Sequence, residues 1–127
     1  MKIHNPPTIA APASTYSHAI EIGAGARWLT VSGQIGKTIE GNVAENAEAQ
    51  AEIIWDNITH ILKSADMSIA DIVKMTAYLV DPADLAAYGT VRTRYLGDHR
   101  PASTLVYVSA LVIPGLKLEV EVQAAKV

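Results

Sequence analysis

Two acidic residues near the carboxyl end of the chain carry the clearest potential for acid–base chemistry. Glu119 and Glu121 are two positions apart in a run where apolar and acidic residues alternate. In a β-strand, residues at this spacing project from the same face of the sheet. Two carboxylates on one face can act as a general acid and a general base, whereas an exposed pair only adds solubilising charge.

Other chemistries have weaker support in the sequence. Ser32 lacks the flanking glycines of a nucleophile elbow, and no His and Asp pair can be assigned to it. The Gly-Ala-Gly run at residues 23–25 lacks the third glycine of a nucleotide-binding loop, so we interpret it as a turn. The four histidines have no metal-ligand spacing, and the chain contains no cysteine. We therefore expect no metal site, thiol chemistry or disulfide.

The spacing of apolar residues predicts the elements that position these side chains. Residues 17–22 and 27–34 alternate in character around the glycine-containing turn and are expected to form a β-hairpin. Residues 43–65 show helical spacing, with Asn42 and Glu45 as a predicted capping box. We further predict a helix at 83–96 and strands at 72–80, 103–108 and 117–125, after an irregular N-terminal arm at 1–15.

This order predicts one α+β domain over residues 1–127, with two helices packed on one face of a mixed sheet. Glu119 and Glu121 should point away from the helices, and we expect the same of Thr30, Ser32 and Gln34. From the residues alone, we interpret this polar second face as a solvated surface.

Composition limits the classes of partner and location. The chain has 127 residues, of which 50% are hydrophobic, which is enough for one core without disulfides or metals. A net charge of -3 gives no positive field for a nucleic acid. The start of the chain shows no export-signal pattern, and no apolar run is long enough for a helical membrane span. We expect a soluble, cytoplasmic protein that binds neither nucleic acid nor membranes.

Six segments, in order along the chain, resemble the RidA family, also called YjgF or L-PSP. Residues 16–19 are similar to the family's Tyr-Ser-Gln-Ala opening, and residues 31–35 to its Val-Ser-Gly-Gln-Ile strand end. Gln50 and Asn57 match positions of its first helix, and residues 68–74 match the connection that follows. Residues 101–102 and 118–121 complete a resemblance that covers about residues 16–125.

The resemblance implies a chorismate-mutase-like fold and a homotrimer with its sheets facing inward. Clefts between neighbouring subunits would bind small carboxylates and hydrolyse enamines or imines to a keto acid and ammonia, without a cofactor. Tyr16 corresponds to a cleft tyrosine, Ser32 and Gly33 to the cleft wall, and Glu119 to the residue that positions the attacking water. Glu121 takes that role if the register is shifted.

Ser103 departs from the family pattern. The family's Pro-Ala-Arg-Ser arginine grips the substrate carboxylate with two parallel hydrogen bonds, which a hydroxyl cannot reproduce. Here the run is Pro-Ala-Ser-Thr, and Gly89 replaces an asparagine of archetypal members. Arg94, Arg100 or His18 is a candidate to supply the cation instead. These changes predict poor hydrolysis of simple α-imino acids.

Two main functions follow from the sequence. Retention of Glu119 favours a deaminase or related hydrolase with an altered substrate, whereas loss of the arginine favours a trimer that binds a metabolite without turnover. An endoribonuclease is a third hypothesis, which the acidic composition disfavours.

Overall fold

A computed structural model describes all 127 residues and confirms the predicted α+β architecture. In chain order, β1 to β6 span Lys2–His4, Ala19–Glu21, Arg27–Ile35, Ile72–Leu79, Ala102–Tyr107 and Leu118–Lys126, and helices α1 and α2 span Ala47–Ser64 and Leu85–Leu96. The main sheet has four strands in the order β3-β6-β4-β5, with β4 and β5 parallel and the other pairs antiparallel. Strands β1 and β2 form a separate two-stranded sheet.

The core lies between the sheet and the two helices. Trp55 is the largest side chain that is fully buried there. Strand β6 alternates as predicted, and its helix-facing residues are buried, namely Leu118, Val120, Val122 and Ala124. The glutamates between them are only partly buried, on the opposite face. Strands β4 and β6 therefore have one apolar face on the core and one more polar face away from the helices. Neither helix is long and apolar enough to cross a membrane.

Helix α1 begins later than the predicted capping box implied. The N-cap is Asn46, whose side-chain oxygen accepts a 2.9 Å hydrogen bond from the backbone N–H of Ala49. Asn42 instead lies in the preceding loop, where its N–H donates to the Thr38 hydroxyl. The prediction of Asn42 and Glu45 as the cap was therefore wrong.

Gln50 connects α1 to the loop before β6. Its side chain is fully buried, donates to the carbonyls of Ala44 and Gly115, and accepts from the N–H of Lys117. The chain passes so close that a Cβ at Gly36 would lie 2.2 Å from the Gln50 Cβ. Gln50 thus satisfies three backbone groups of two loops.

The predicted hairpin of residues 17–22 with 27–34 was wrong, as was a fully irregular N-terminal arm. Strand β2 pairs with β1, and Ile20 lies opposite Ile3. The cause is the order of the strands in the sheet. Ser17 is held beside β5 by hydrogen bonds to the carbonyls of Arg100 and Pro101, whereas β3 is the opposite edge strand. The segment between Ser17 and the start of β3 at Arg27 therefore runs from one edge of the sheet to the other, so it cannot fold back as a tight hairpin.

Strand β3 contains a β-bulge that moves one predicted residue to the other face. Val31 pairs with Val122, but Gln34 pairs with Val120, so two residues of β3 oppose a single residue of β6. Because of this insertion, Gln34 lies on the helix side and lines a depression with residues of α1. Its predicted place beside Thr30 and Ser32 was therefore wrong.

Candidate functional site

Glu119 lies on the sheet face away from the helices, directly against the bulge of β3. A Cβ built at Gly33 would be 2.0 Å from Oε2 of Glu119 and 2.8 Å from its Cδ. Only glycine leaves space for this carboxylate, since real Cβ atoms essentially never approach another atom so closely. The bulge thus brings Gly33 and Glu119 together, while the neighbouring Ser32 is exposed.

Glu121 lies on the same face but already has a protein partner. The Tyr78 hydroxyl donates a 2.6 Å hydrogen bond to Oε1 of Glu121. This hydrogen bond, followed by desolvation, raises the pKa of Tyr78, so the tyrosine remains a donor at neutral pH. The Glu119 side chain makes no hydrogen bond within the chain, which leaves its carboxylate the freer of the two to accept a proton from water.

A hollow of about 480 Å³ lies between α2, β5 and the N-terminal arm. Helix α2 forms one wall, because its residues 85, 88, 89 and 92 share a face at helical spacing. Ser103 belongs to the opposite wall, since it pairs with the buried Met75 and so points to the helix side of the sheet. The lining residues are Ser14, Tyr16, Leu85, Tyr88, Gly89, Arg92, Ser103 and Leu105.

Three of the predicted ligand-binding residues meet in this hollow, namely Tyr16, Gly89 and Ser103. The Tyr16 hydroxyl accepts a 3.3 Å hydrogen bond from the N–H of Ala13, and the Tyr16 ring contacts His18 edge to face. A Cβ at Gly89 would meet no atom within 4 Å, so this position adds open space. Small residues at 89 and 103 therefore leave the hollow wide.

The cation of the hollow is Arg92, which was not among the candidate residues predicted from the sequence. Its Nη2 donates a 2.9 Å hydrogen bond to the Thr15 hydroxyl, and its guanidinium carbon is 5.9 Å from the centre of the Tyr88 ring. The spacing of Arg92 three residues after Gly89 could have identified it, because residues at this distance share one helix face.

Two buried polar atoms at the hollow have no hydrogen-bond partner, namely the Tyr88 hydroxyl and Nε of Arg92. Only one other such atom exists in the chain, on Trp55. Burial raises the pKa of Tyr88 well above its usual range, so its hydroxyl stays protonated. A buried donor without a partner costs about 1–3 kcal/mol, and a bound acceptor would remove that cost.

The other candidate cations lie elsewhere. Arg94 pairs with Glu52 at 3.1 Å on the exposed surface of the helices, where both side chains remain about half exposed. Arg100 is exposed and does not line the hollow. The His18 ring is 2.7 Å from the carbonyl of Ala10, within the N-terminal arm.

The two sets of candidate residues lie on opposite faces of the sheet. Gly33 and Glu119 are on the face away from the helices, and the hollow with Ser103 is on the helix side, beyond β5. The sheet itself separates them within one chain. No three His, Cys, Asp or Glu side chains are grouped as a metal site would require.

Comparison with known proteins covers nearly the whole chain. A family model described as Endoribonuclease L-PSP matches residues 8–126. Protein HMF1 of Saccharomyces cerevisiae is 32% identical across 91% of this chain and 88% of its own. The crystal structure of YyfB from Yersinia pestis, a Rid-family protein of unknown function, superposes with a TM-score of 0.86 at 30% identity over 98% of both chains. The crystal structure of RidA from an Antarctic Psychrobacter superposes with a TM-score of 0.72 at 34% identity, over 90% of both chains.

Proposed function

Because the chain belongs to the RidA (YjgF, L-PSP) family, we propose that it hydrolyses small enamines or imines in clefts between the subunits of a homotrimer. The observation that carries this proposal is the separation of the two candidate sets by the sheet of one chain. A site that uses both Glu119 and the hollow needs the Glu119 face of one subunit to meet the hollow of its neighbour.

The surface of the chain supports such an assembly. Val106 and Tyr107 on β5 are 39% and 45% exposed, and Val112 in the following loop is 83% exposed. Val106 lies opposite Tyr78 in the parallel register, on the same face as Glu119. Contact between subunits would remove these apolar side chains from water.

In the proposed reaction, a water molecule adds to the carbon of a protonated C=N bond. Glu119 accepts a proton from this water as the C–O bond forms, and the nitrogen takes the electron pair of the C=N π bond. Glu119 returns this proton to the nitrogen of the resulting carbinolamine, and ammonia leaves with the electron pair of the C–N bond. The hydroxyl gives its proton to Glu119 as the C=O bond forms, and release of that proton to solvent balances the one that entered on the imine. The balance is one imine and one water for one carbonyl product and one ammonia, so the reaction requires no oxidant, reductant or cofactor. An enamine enters the same path after a proton is added to its carbon.

The direct test is the release of keto acid from freshly generated imines, compared with buffer alone. We expect acceleration by the wild-type protein, weak for 2-iminopropionate because Ser103 stands where the family carries its arginine. No acceleration with any imine, in a protein of trimer mass, would reject the hydrolase.

A trimer that binds a metabolite without turnover is the second candidate. It is favoured by the two unpaired buried donors in the hollow, which would hold a ligand whether or not Glu119 acts on it. Tight binding of a keto acid without imine hydrolysis would identify this function.

The endoribonuclease name of the family model has less support here, because the net charge is -3. We place either activity in the cytoplasm, a reducing compartment that suits a chain without cysteine.

A further inference from the structure

We infer that Arg92 binds the carboxylate of the ligand, so that the cation contributed by β5 in archetypal members comes from α2 in this chain. The inference rests on the proposed function for its ligand class, a 2-oxo or 2-imino acid. It goes further in two respects: it names Arg92 as the residue that recognises the carboxylate, and it states that the preferred acids carry an apolar side chain larger than a methyl group.

The charge of the hollow supports an anionic ligand. Arg92 takes part in neither of the chain's two salt bridges, and none of the eight lining residues is acidic. Its positive charge is therefore uncompensated by the side chains around it. A carboxylate in the hollow would supply the missing countercharge.

The donors of Arg92 and Tyr88 point to the same conclusion. A guanidinium has five N–H donors, and only the contact of Nη2 with Thr15 is formed. Nε is buried without a partner, and so is the Tyr88 hydroxyl one helical turn away. A carboxylate has two oxygens that accept several hydrogen bonds, so one anion has enough acceptors for both donors.

The shape of the hollow selects the rest of the ligand. Gly89 leaves open space, and Ser103 occupies far less volume than an arginine. Leu85 and Leu105 supply apolar wall on either side. An acid as small as pyruvate would leave these walls uncovered, whereas a branched aliphatic side chain would bury them.

A purely structural role for Arg92 is the competing explanation, because its contacts with Thr15 and the Tyr88 ring also fix the N-terminal arm. The two explanations differ in what happens to carboxylate selectivity. If Arg92 only anchors the arm, the protein has no reason to prefer an acid over a neutral ligand. If its guanidinium binds the carboxylate, the protein should prefer the acid.

The test is equilibrium binding, measured by calorimetry or NMR titration, of 4-methyl-2-oxopentanoate and of the corresponding neutral amide. We expect wild-type protein to prefer the acid, and Arg92→Met to lose about 10-fold to 150-fold in affinity for it with little change for the amide. Arg94→Met is the matched control, since Arg94 lies outside the hollow. Thr15→Val removes the anchoring contact alone and should bind the acid as wild type does.

A rescue variant makes the test specific. Arg92→Met combined with Ser103→Arg restores a guanidinium from the opposite wall and should regain preference for the acid. The inference is overturned if wild type binds neither compound or binds both equally, or if Arg92→Met keeps its preference for the acid. It is also overturned if Thr15→Val loses as much as Arg92→Met. Because binding needs no turnover, failure of imine hydrolysis alone rejects the hydrolase and leaves the role of Arg92 standing.

Discussion

The carboxylate of Glu119 lies where the side chain of residue 33 would be in any amino acid other than glycine. A Cβ at Gly33 would be 2.0 Å from Oε2 of Glu119. The bulge in β3 creates this arrangement, because it places Gly33 on the face away from the helices and Gln34 on the helix side. The backbone of one strand thus determines the position of the proposed catalytic group on its neighbour.

Gly33→Ala should therefore reduce imine hydrolysis while leaving the fold intact. The added methyl group forces Glu119 to another rotamer, and displacement of a reacting group by about 1 Å can cost about 100-fold in rate. Turnover of the variant measures the effect, and circular dichroism checks the fold. Gly23→Ala is the matched control, because a Cβ there meets no atom within 4 Å. Unchanged turnover in Gly33→Ala would show that the position of Glu119 is not critical.

Gln50→Leu should destabilise the protein strongly without touching either candidate set. Three backbone groups, at Ala44, Gly115 and Lys117, lose their partner. Since one unsatisfied buried group costs about 1–3 kcal/mol, we expect a loss of about 3 kcal/mol or more in the free energy of unfolding. Urea denaturation measures it, with the exposed His60→Gln on the same helix as control. A loss below 1 kcal/mol would mean that water replaces the amide.

Sequence patterns predicted the elements in which side chains alternate or repeat regularly. The period of two in β6 placed Glu119 and Glu121 on one face, and the helical period placed Ile54 and Ile58 of α1 in the core. Such periodicity depends only on local geometry, so the sequence contains it in full.

Features that depend on distant parts of the chain escaped prediction. The partner of β2 is decided by Ser17, which is tied to β5 at the far edge of the sheet. The extra residue in the β3 bulge moves Gln34 to the helix side of the sheet, and the alternation of side chains along the sequence does not show this insertion. Arg92 faces the hollow only because the arm and β5 enclose that side of α2. The fold class was therefore predictable, whereas helical spacing could place Arg92 on the face of Gly89 but not show that this face borders a hollow.

Ser103→Arg should raise affinity for small 2-keto acids such as pyruvate, and with it hydrolysis of 2-iminopropionate. A guanidinium on β5 adds a charge-assisted contact of about 1.5–3 kcal/mol, or about 10-fold to 150-fold. Steady-state turnover of wild type and variant side by side measures the gain. Adding Gly89→Asn to this variant restores the asparagine that archetypal members carry beside the arginine, and it should increase the gain in turnover further. No gain in either variant, at trimer mass, would show that the hollow has been remodelled for a different ligand.

Light scattering on the purified protein should report about three times the chain mass of 13.5 kDa. The reason is that the Glu119 face and the hollow lie on opposite sides of one sheet, so a shared site requires neighbours. Tyr107→Glu places a charge on an exposed apolar side chain of β5 and should shift the mass towards the monomer. A wild-type monomer at micromolar concentration would remove the basis for a site between subunits.

The role of Glu119 as the group that activates water is tested most directly by imine turnover in three proteins: wild type, Glu119→Gln and Glu121→Gln. The substrate is freshly generated 4-methyl-2-iminopentanoate, and the readout is keto acid release above the buffer rate. We predict that Glu119→Gln, which keeps the shape but removes the base, lowers turnover about 100-fold or more. Glu121→Gln should remain within a few-fold of wild type, because an amide oxygen can still accept from Tyr78. Wild-type turnover in Glu119→Gln would contradict the mechanism, and loss in Glu121→Gln alone would transfer the role to that residue.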